Sequence, residues 1–438
     1  MKRRLLWISE HASPLAPLGG ADAGGQNVYV AQVARCLAAL GHEVDVLTRR
    51  DHPDQPVIAQ LTDGARVIHV PAGPAAPVRK EDLLPHMGEF RAFALKWLGR
   101  RTTRPHHLVH ANFFMSALVA AEIKRALGVP FVVTFHALGR VRRLHQGGAD
   151  AFPEERLAIE DRAVAEADRI IAECPQDELD LIEHYAADPR KIRTIPCGFD
   201  PSEFGPMDQG EARRLLGLSP EGPIVLQLGR MVPRKGVDNV IRALARLRAS
   251  RGISARLLIV GGESREPDPA ITPEIGRLRS IAREEGVADS VIFVGARERH
   301  ELRPFYCAAD VFVSTPWYEP FGITPLEAMA CGVPVVGSAV GGIKTTVVDG
   351  ETGFLVPPKD PETLADRLGD VLGDPDLRRE MGRRAIGRVN RRYTWRSVAR
   401  RVANLYEDAL RDRPAPARTV AVRPIPSTTA KILARSEF

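Results

Sequence analysis

At 438 residues the chain exceeds what one hydrophobic core organises, roughly 250 to 300 residues, so two domains plus a tail are expected. Apolar residues make up 44% and charged residues 26%, close to globular averages, which excludes a largely disordered chain and a membrane bundle. The net charge of +6 is spread over arginine-rich helix faces without an aromatic-interleaved basic stripe, so no nucleic acid is expected as partner and small anions are.

The opening "MKRRLLWISEHASP" turns polar too soon for a secretory signal, and no run approaches the roughly 20 apolar residues of a membrane span. Five cysteines, Cys36, Cys174, Cys197, Cys307 and Cys331, lie far apart in mostly apolar segments. That pattern suits reduced thiols and a cytoplasmic protein. A basic helix over residues 91–104 leaves weak peripheral membrane contact open, with a solvated helix face as the plainer account.

In chain order, "RLLWIS" reads as a strand, residues 26–40 as a helix closed by Gly41, and "HEVDVLT" as the next strand, which is βαβ grammar. "ARVIHV", "HLVHA", "FVVTFH", "RIIAEC" and "KIRTIP" extend a mostly parallel sheet to about residue 200. A Pro-, Gly- and Asp-rich connector follows, "PCGFDPSEFGPMDQG", with a hinge expected near residues 201–222. A second series then begins: "GPIVLQLG", "ARLLIVGG", "SVIFVGA", "DVFVST" and "VPVVGSA". The chain thus divides into an α/β domain at 1–205, a second at 206–390, a helix at 391–411 expected to pack back on the first domain, and a Pro- and Arg-rich tail at 412–438 expected to be disordered. Two Rossmann-like halves would face each other across a cleft.

Four segments carry chemistry. In "STPWYEPFGITPLEAMACGVPVV", residues 314–336, Thr324 as N-cap, Pro325 as first helical residue and Glu327 as capping-box partner form one economical account. It leaves Glu319 and Gly322 unexplained. Just beyond a strand's carboxyl end and at a helix start, free amides favour a phosphate, and carboxylates there accept hydrogen bonds from sugar hydroxyls. In "LQLGRMVPRKGVDNV", Arg230 and Lys235 flank a turn after a strand, where a bidentate fork and a point charge suit a diphosphate. "DAGGQNVYV" puts Gly24 and Gly25 at the first strand-to-helix turn, where backbone amides approach an anion closely. "FVVTFHALGR" ends a strand at His136, aimed at the same cleft.

Other chemistries are poorly matched. Neither Lys235-Gly236 nor "GSAVGGIKT" has P-loop spacing, and the first turn misses the dinucleotide fingerprint. Asp374-Pro375-Asp376 sits in a late helix-to-helix turn where N-capping is its obvious work, and no His/Cys cluster has zinc spacing, so no metal and no cofactor are expected.

"EPFGITPLEAMACGVPVV" followed by "GGIKTTVVDGETGFLVPPKDPETLADRL" resembles the retaining glycosyltransferases of family 4, whose fold is GT-B; the likeness covers nearly all of residues 1–410. "DAGGQNVYV", "FHALGR" and "VRKEDL" resemble most the branch of sucrose-phosphate synthases and D-inositol-3-phosphate glycosyltransferases. The resemblance implies an acceptor-binding first domain and a nucleotide-sugar-binding second one. It implies that Arg230 and Lys235 bind the donor diphosphate, Glu327 the ribose hydroxyls and Glu319 the donor sugar, with Gly25, Gly322 and Ile323 near phosphate or sugar oxygens. His136 would meet the transferred sugar, and Gln26, Lys80, Asn112 and Arg156 would hold the acceptor, Lys80 and Arg156 by its phosphate. A tyrosine and a threonine that bind inositol phosphate in that branch are replaced by Phe113 and Ala137.

The expected activity is therefore metal-independent hexosyl transfer from a nucleotide sugar, UDP-linked by preference, to a small sugar, polyol or sugar-phosphate acceptor. A GDP-mannose-dependent mannosyltransferase acting on a lipid or polysaccharide shares the fold, and a nucleotide-sugar sensor without turnover is the non-enzymatic alternative. Base, hexose, acceptor and oligomeric state are not encoded in any readable motif.

Overall fold

Short runs of Val, Ile and Leu, each delivering the chain into a helix, are buried on both faces only when helices cover both sides of a parallel sheet. The computed structural model, which describes residues 2–16, 24–99 and 105–412, contains two such sheets. Residue 1, residues 17–23, residues 100–104, where the expected basic helix would end, and the tail from 413 lie outside the described residues.

The first sheet holds β1 (Arg4–Ile8), β2 (Glu43–Arg49), β3 (Ile58–Thr62), β4 (Ala65–Val70), β5 (Leu108–Asn112), β6 (Phe131–Thr134), β7 (Arg169–Ala172) and β8 (Ile192–Thr194). Their order is β3-β4-β2-β1-β5-β6-β7-β8, parallel except where β3 pairs antiparallel with β4. The second sheet holds β9 (Ile224–Leu228), β10 (Arg256–Val260), β11 (Val291–Gly295), β12 (Val311–Ser314), β13 (Val335–Ser338) and β14 (Gly353–Val356). Its order is β11-β10-β9-β12-β13-β14. The strand order reverses between β1 and β5 in one sheet and between β9 and β12 in the other. Diverging helices leave a crevice at such points, at the carboxyl ends of the strands. The loops after β1, β5, β9 and β12 therefore line any site.

Two strands escape the sequence pattern. "IAQLT" of β3 is partly exposed along its whole length, as an edge strand is, and β14 is four residues long and opens on a glycine. The late helical stretch is also two helices, Pro375–Arg392 and Trp395–Arg411, parted at Tyr393 and Thr394. Asp374 caps the first, accepting from the amides of Asp376 and Leu377, so this Asp-Pro-Asp is a helix cap as expected. Phe199 of the connector donates its amide to the Tyr393 carbonyl at 2.8 Å and accepts from the Trp395 amide at 3.1 Å. From that clasp the helix Trp395–Arg411 returns to the first domain and packs on the helix Gly25–Ala39. Trp395, Val398, Val402, Leu405 and Tyr406 are buried there, the Tyr406 hydroxyl lies 2.6 Å from His110 Nδ1, and Arg3 grips Glu407 through two nitrogens. One apolar cluster consequently runs from Leu5 of the first sheet through Leu326 of the second domain to Trp395.

Because Trp395 is almost wholly buried where connector, first domain and closing helix meet, Trp395→Ala should cost about 3–5 kcal/mol in urea unfolding. Glu407→Gln, which breaks a partly exposed pair, should stay within about 1 kcal/mol.

Candidate active site

A cavity of about 310 Å³ lies between the carboxyl ends of the two sheets. Its second-domain wall begins where β9 ends at Leu228. The chain turns through Pro233–Lys235 and enters the helix Val237–Arg251 at Gly236, whose φ is +65°. A side chain at Gly236 would collide with the Thr315 carbonyl oxygen, so this turn sits directly against the loop after β12. The Thr315 hydroxyl donates to the Gly236 carbonyl at 2.9 Å and the Trp317 amide to the Arg234 carbonyl at 2.9 Å, which locks the two loops together.

That lock brings Lys235 Nζ onto Glu319 Oε2 as a half-buried ion pair. Arg234 donates to the Tyr318 carbonyl at 3.2 Å and stands 4.0 Å from the same carboxylate oxygen, and Arg230 also lines the cavity. Burial pulls the Lys235 ammonium down to about 8; Glu319 opposes this, but Arg234 and Arg230 add like-charge repulsion. For Glu319 burial pushes upward and is outweighed by Lys235, Arg234 and Arg230, so its carboxyl lies below the usual range. Lys235, Arg234 and Arg230 thus all act on the one Glu319 carboxylate in this wall.

Glu327 has a different role from the one its spacing suggests. The helix Ile323–Ala330 is preceded by Gly322 at φ +90° with no side-chain cap, so Thr324 is not the N-cap, Pro325 is not the first residue, and Glu327 closes no capping box. Its buried carboxylate instead accepts from Arg299 Nη1 at 2.7 Å through Oε1 and from the Tyr306 hydroxyl at 2.7 Å through Oε2. The first amides of this helix, with Gly322 and Ile323 in the cavity wall, have no partner within the helix and offer an anion site.

On the first-domain wall Gly25 opens the helix Gly25–Ala39, and a side chain at Gly25 would lie 3.6 Å from Ile323 Cδ1. Two helix starts thus face each other across the cavity. Gln26 Nε2 donates to the Asn112 carbonyl at 3.3 Å and to Ser9 Oγ at 3.2 Å. His136, at φ +58°, has Nδ1 3.1 Å from Glu173 Oε1 and Nε2 3.1 Å from Asn112 Oδ1. Asn112 Nδ2 donates to the Ile8 carbonyl at 3.2 Å, which turns its oxygen toward the imidazole. Burial raises the Glu173 carboxyl, but His136 and the Cys197 thiol outweigh it and hold it low. The Cys174 thiol reaches the Pro320 carbonyl at 3.3 Å, crossing between the domains beside Glu319.

The family described as Glycosyl transferases group 1 matches residues 208–388, and Glycosyltransferase Family 4 matches residues 23–203. A D-inositol 3-phosphate glycosyltransferase of Acidothermus cellulolyticus is 39% identical over 94% of this chain and 91% of its own length. One of Actinosynnema mirum is 39% identical over 90% of this chain and 94% of its own. The sucrose-phosphate synthase structure from Thermosynechococcus elongatus superposes with a TM-score of 0.85 at 34% identity, covering 94% of this chain and 100% of that one. The chain belongs to this glycosyltransferase family.

In this glycosyltransferase all but two of the residues singled out from sequence stand in the cavity wall: His136, Glu319, Arg230, Lys235, Gly25, Gly322, Ile323, Glu327, Gln26 and Lys80. Lys80 lies 3.2 Å from Glu81 and lines the first-domain side of the cavity. Asn112 stands behind the wall, its Oδ1 facing His136. Arg156 also lies outside the lining, paired with Glu160 and donating to the Ala137 carbonyl, with its guanidinium over the rings of Phe113, Phe114 and Phe152. Phe113, Ala137 and Arg142 line the cavity in its place. The sequence reading also missed Arg234, whose position beside Lys235 was the available signal, and Arg299 and Tyr306. The last two reach Glu327 from other elements, so no local pattern announces them.

Lys235 attracts an anion only in its charged form, and its charged fraction falls as pH rises through about 8. Donor kcat/KM should therefore decline on the alkaline side with an apparent pKa near that value, and in Lys235→Arg the decline should move beyond the measurable range.

Proposed function

We propose that this glycosyltransferase moves a hexose from a uridine diphosphate sugar, with retention at the anomeric carbon and without a metal, to a small hydroxylated acceptor carrying a phosphate. The observation that carries the reading is the half-buried Lys235–Glu319 pair flanked by Arg230 and Arg234, in one cavity wall with Glu327 and the start of the helix Ile323–Ala330. The cations and helix amides would take the diphosphate, Glu327 the ribose hydroxyls and Glu319 the sugar hydroxyls. The relatives named for D-inositol 3-phosphate and for sucrose phosphate support a phosphorylated partner, and the first-domain wall offers it Lys80 beside Glu81 and Arg142, the latter paired with Asp150 at 2.9 Å. Five free thiols suit work in the cytoplasm.

In the reaction the bond from the anomeric carbon to the diphosphate oxygen breaks, the bond to the acceptor oxygen forms on the same face, and the acceptor's proton passes to the departing phosphate oxygen. Negative charge grows on the diphosphate, so fixed cations stabilise the transition state more than the ground state. Glu319, held by Lys235, positions the sugar. The cavity between closed domains keeps water from the donor.

Radiolabelled UDP-, GDP- and ADP-hexoses, each offered with inositol 3-phosphate, hexose phosphates and unphosphorylated sugars, test this directly. Transfer is expected from the UDP sugar to a phosphorylated acceptor, with an axial linkage by NMR and no loss of rate in EDTA. Lys235→Ala should lower kcat/KM by roughly 10²–10³-fold. Preferential use of a GDP- or ADP-hexose, or an inverted product, would overturn the reading.

A further inference from the structure

Glu327 is held from two elements that have no sequence relation to it. Tyr306 comes from the helix Leu302–Ala308, and Arg299 from the turn Arg299–Glu301 that follows β11. Each takes one carboxylate oxygen, at 2.7 Å. A carboxylate has about four lone-pair sites, so one remains on each oxygen, at a spacing that suits two neighbouring hydroxyls. Arg299 does more than neutralise Glu327. Its Nε pairs with Glu203 of the interdomain connector, its guanidinium lies 4.7 Å over the Phe204 ring, and Gln32 of the first-domain helix stands 3.5 Å from the other Glu203 oxygen. The guanidinium is thus clamped from the connector, and through it the Glu327 side chain is fixed in one rotamer. Burial works against the charge on Arg299, but Glu327 and Glu203 outweigh it and keep the group above the ordinary arginine value.

We infer that Arg299 is the positioning residue that makes Glu327 read both hydroxyls of the nucleotide ribose, with Glu203 as its anchor. The inference rests on the donor reading given above. A neutral, shorter-reaching side chain at 299 leaves Glu327 held only by Tyr306 and free to swing about that one contact. Accepting two hydroxyls at once then loses its advantage over accepting one. Selectivity for ribose over deoxyribose should depend on Arg299, while the diphosphate grip of Lys235 should not.

Calorimetric titration with UDP and 2′-deoxy-UDP reads this selectivity without turnover. The wild-type protein should bind UDP roughly tenfold or more tightly than the deoxy analogue, as expected for hydrogen bonds to a charged acceptor. In Arg299→Gln the ratio should fall toward one, in Arg299→Lys it should be partly restored, and with UDP-hexose KM should rise more than kcat falls. Glu203→Gln should shift the ratio in the same direction by less, and the double variant Glu203→Gln/Arg299→Gln should do no worse than Arg299→Gln alone, because both act through one contact. An unchanged ratio in Arg299→Gln overturns the inference, and so does an unchanged ratio in Glu203→Gln should Arg299→Gln fail to fold. A wild-type protein that binds neither nucleotide would overturn the donor reading itself, a distinct result from binding both without discrimination.

Discussion

An ammonium group can give up most of its water only when an anion replaces the lost solvation, and Lys235 does so beside Glu319. The rest of the cavity depends on that exchange. Lys235, Arg234 and Arg230 all act on the Glu319 carboxylate and hold it ionised, so this wall is organised around one charged group. The pair is also a hinge pin in the static sense, since it joins the loop after β9 to the loop after β12 across a close contact that Gly236 alone permits. A firmly held charge and a tightly fitted backbone are here one structural fact.

The two sheets explain why that charge lies in a cleft. Each reverses its strand order once, and the loops that matter emerge at the reversals, from β1 and β5 on one side and from β9 and β12 on the other. The helix Trp395–Arg411 sets these openings against each other. It leaves the second domain at the Phe199 clasp and buries Tyr406 against His110, so the halves share one apolar cluster. Residues nearly 300 apart in sequence thereby stand within a hydrogen bond of each other.

Polar contacts run along the same path. Glu327 reaches Arg299, Arg299 reaches Glu203 in the connector, and Glu203 faces Gln32 on the helix whose first turn carries Gly25 and Gln26. Beside them Cys174 touches Pro320, and the His145 ring stacks on Tyr318 at 5.3 Å. The two walls of the cavity therefore meet through side chains as well as through the connector.

Local chemistry sufficed for much of this molecule. The alternation of apolar runs with helical periods determined two α/β halves, because that pattern has few other ways to bury itself, and glycine, proline, cationic and acidic residues at strand ends marked Gly25, Arg230, Lys235, Glu319 and Glu327. The weak strands β3 and β14 stayed hidden, one being an exposed edge and the other too short for a period to show. Tertiary structure alone decided what holds each group. Spacing made Glu327 a capping partner, whereas packing gave it to Arg299 and Tyr306; resemblance offered Arg156 to a phosphate, whereas three phenylalanine rings and Glu160 enclose it. The reason is one of range: propensity and periodicity act over a few residues, while the partners of a buried charge are chosen by the whole fold.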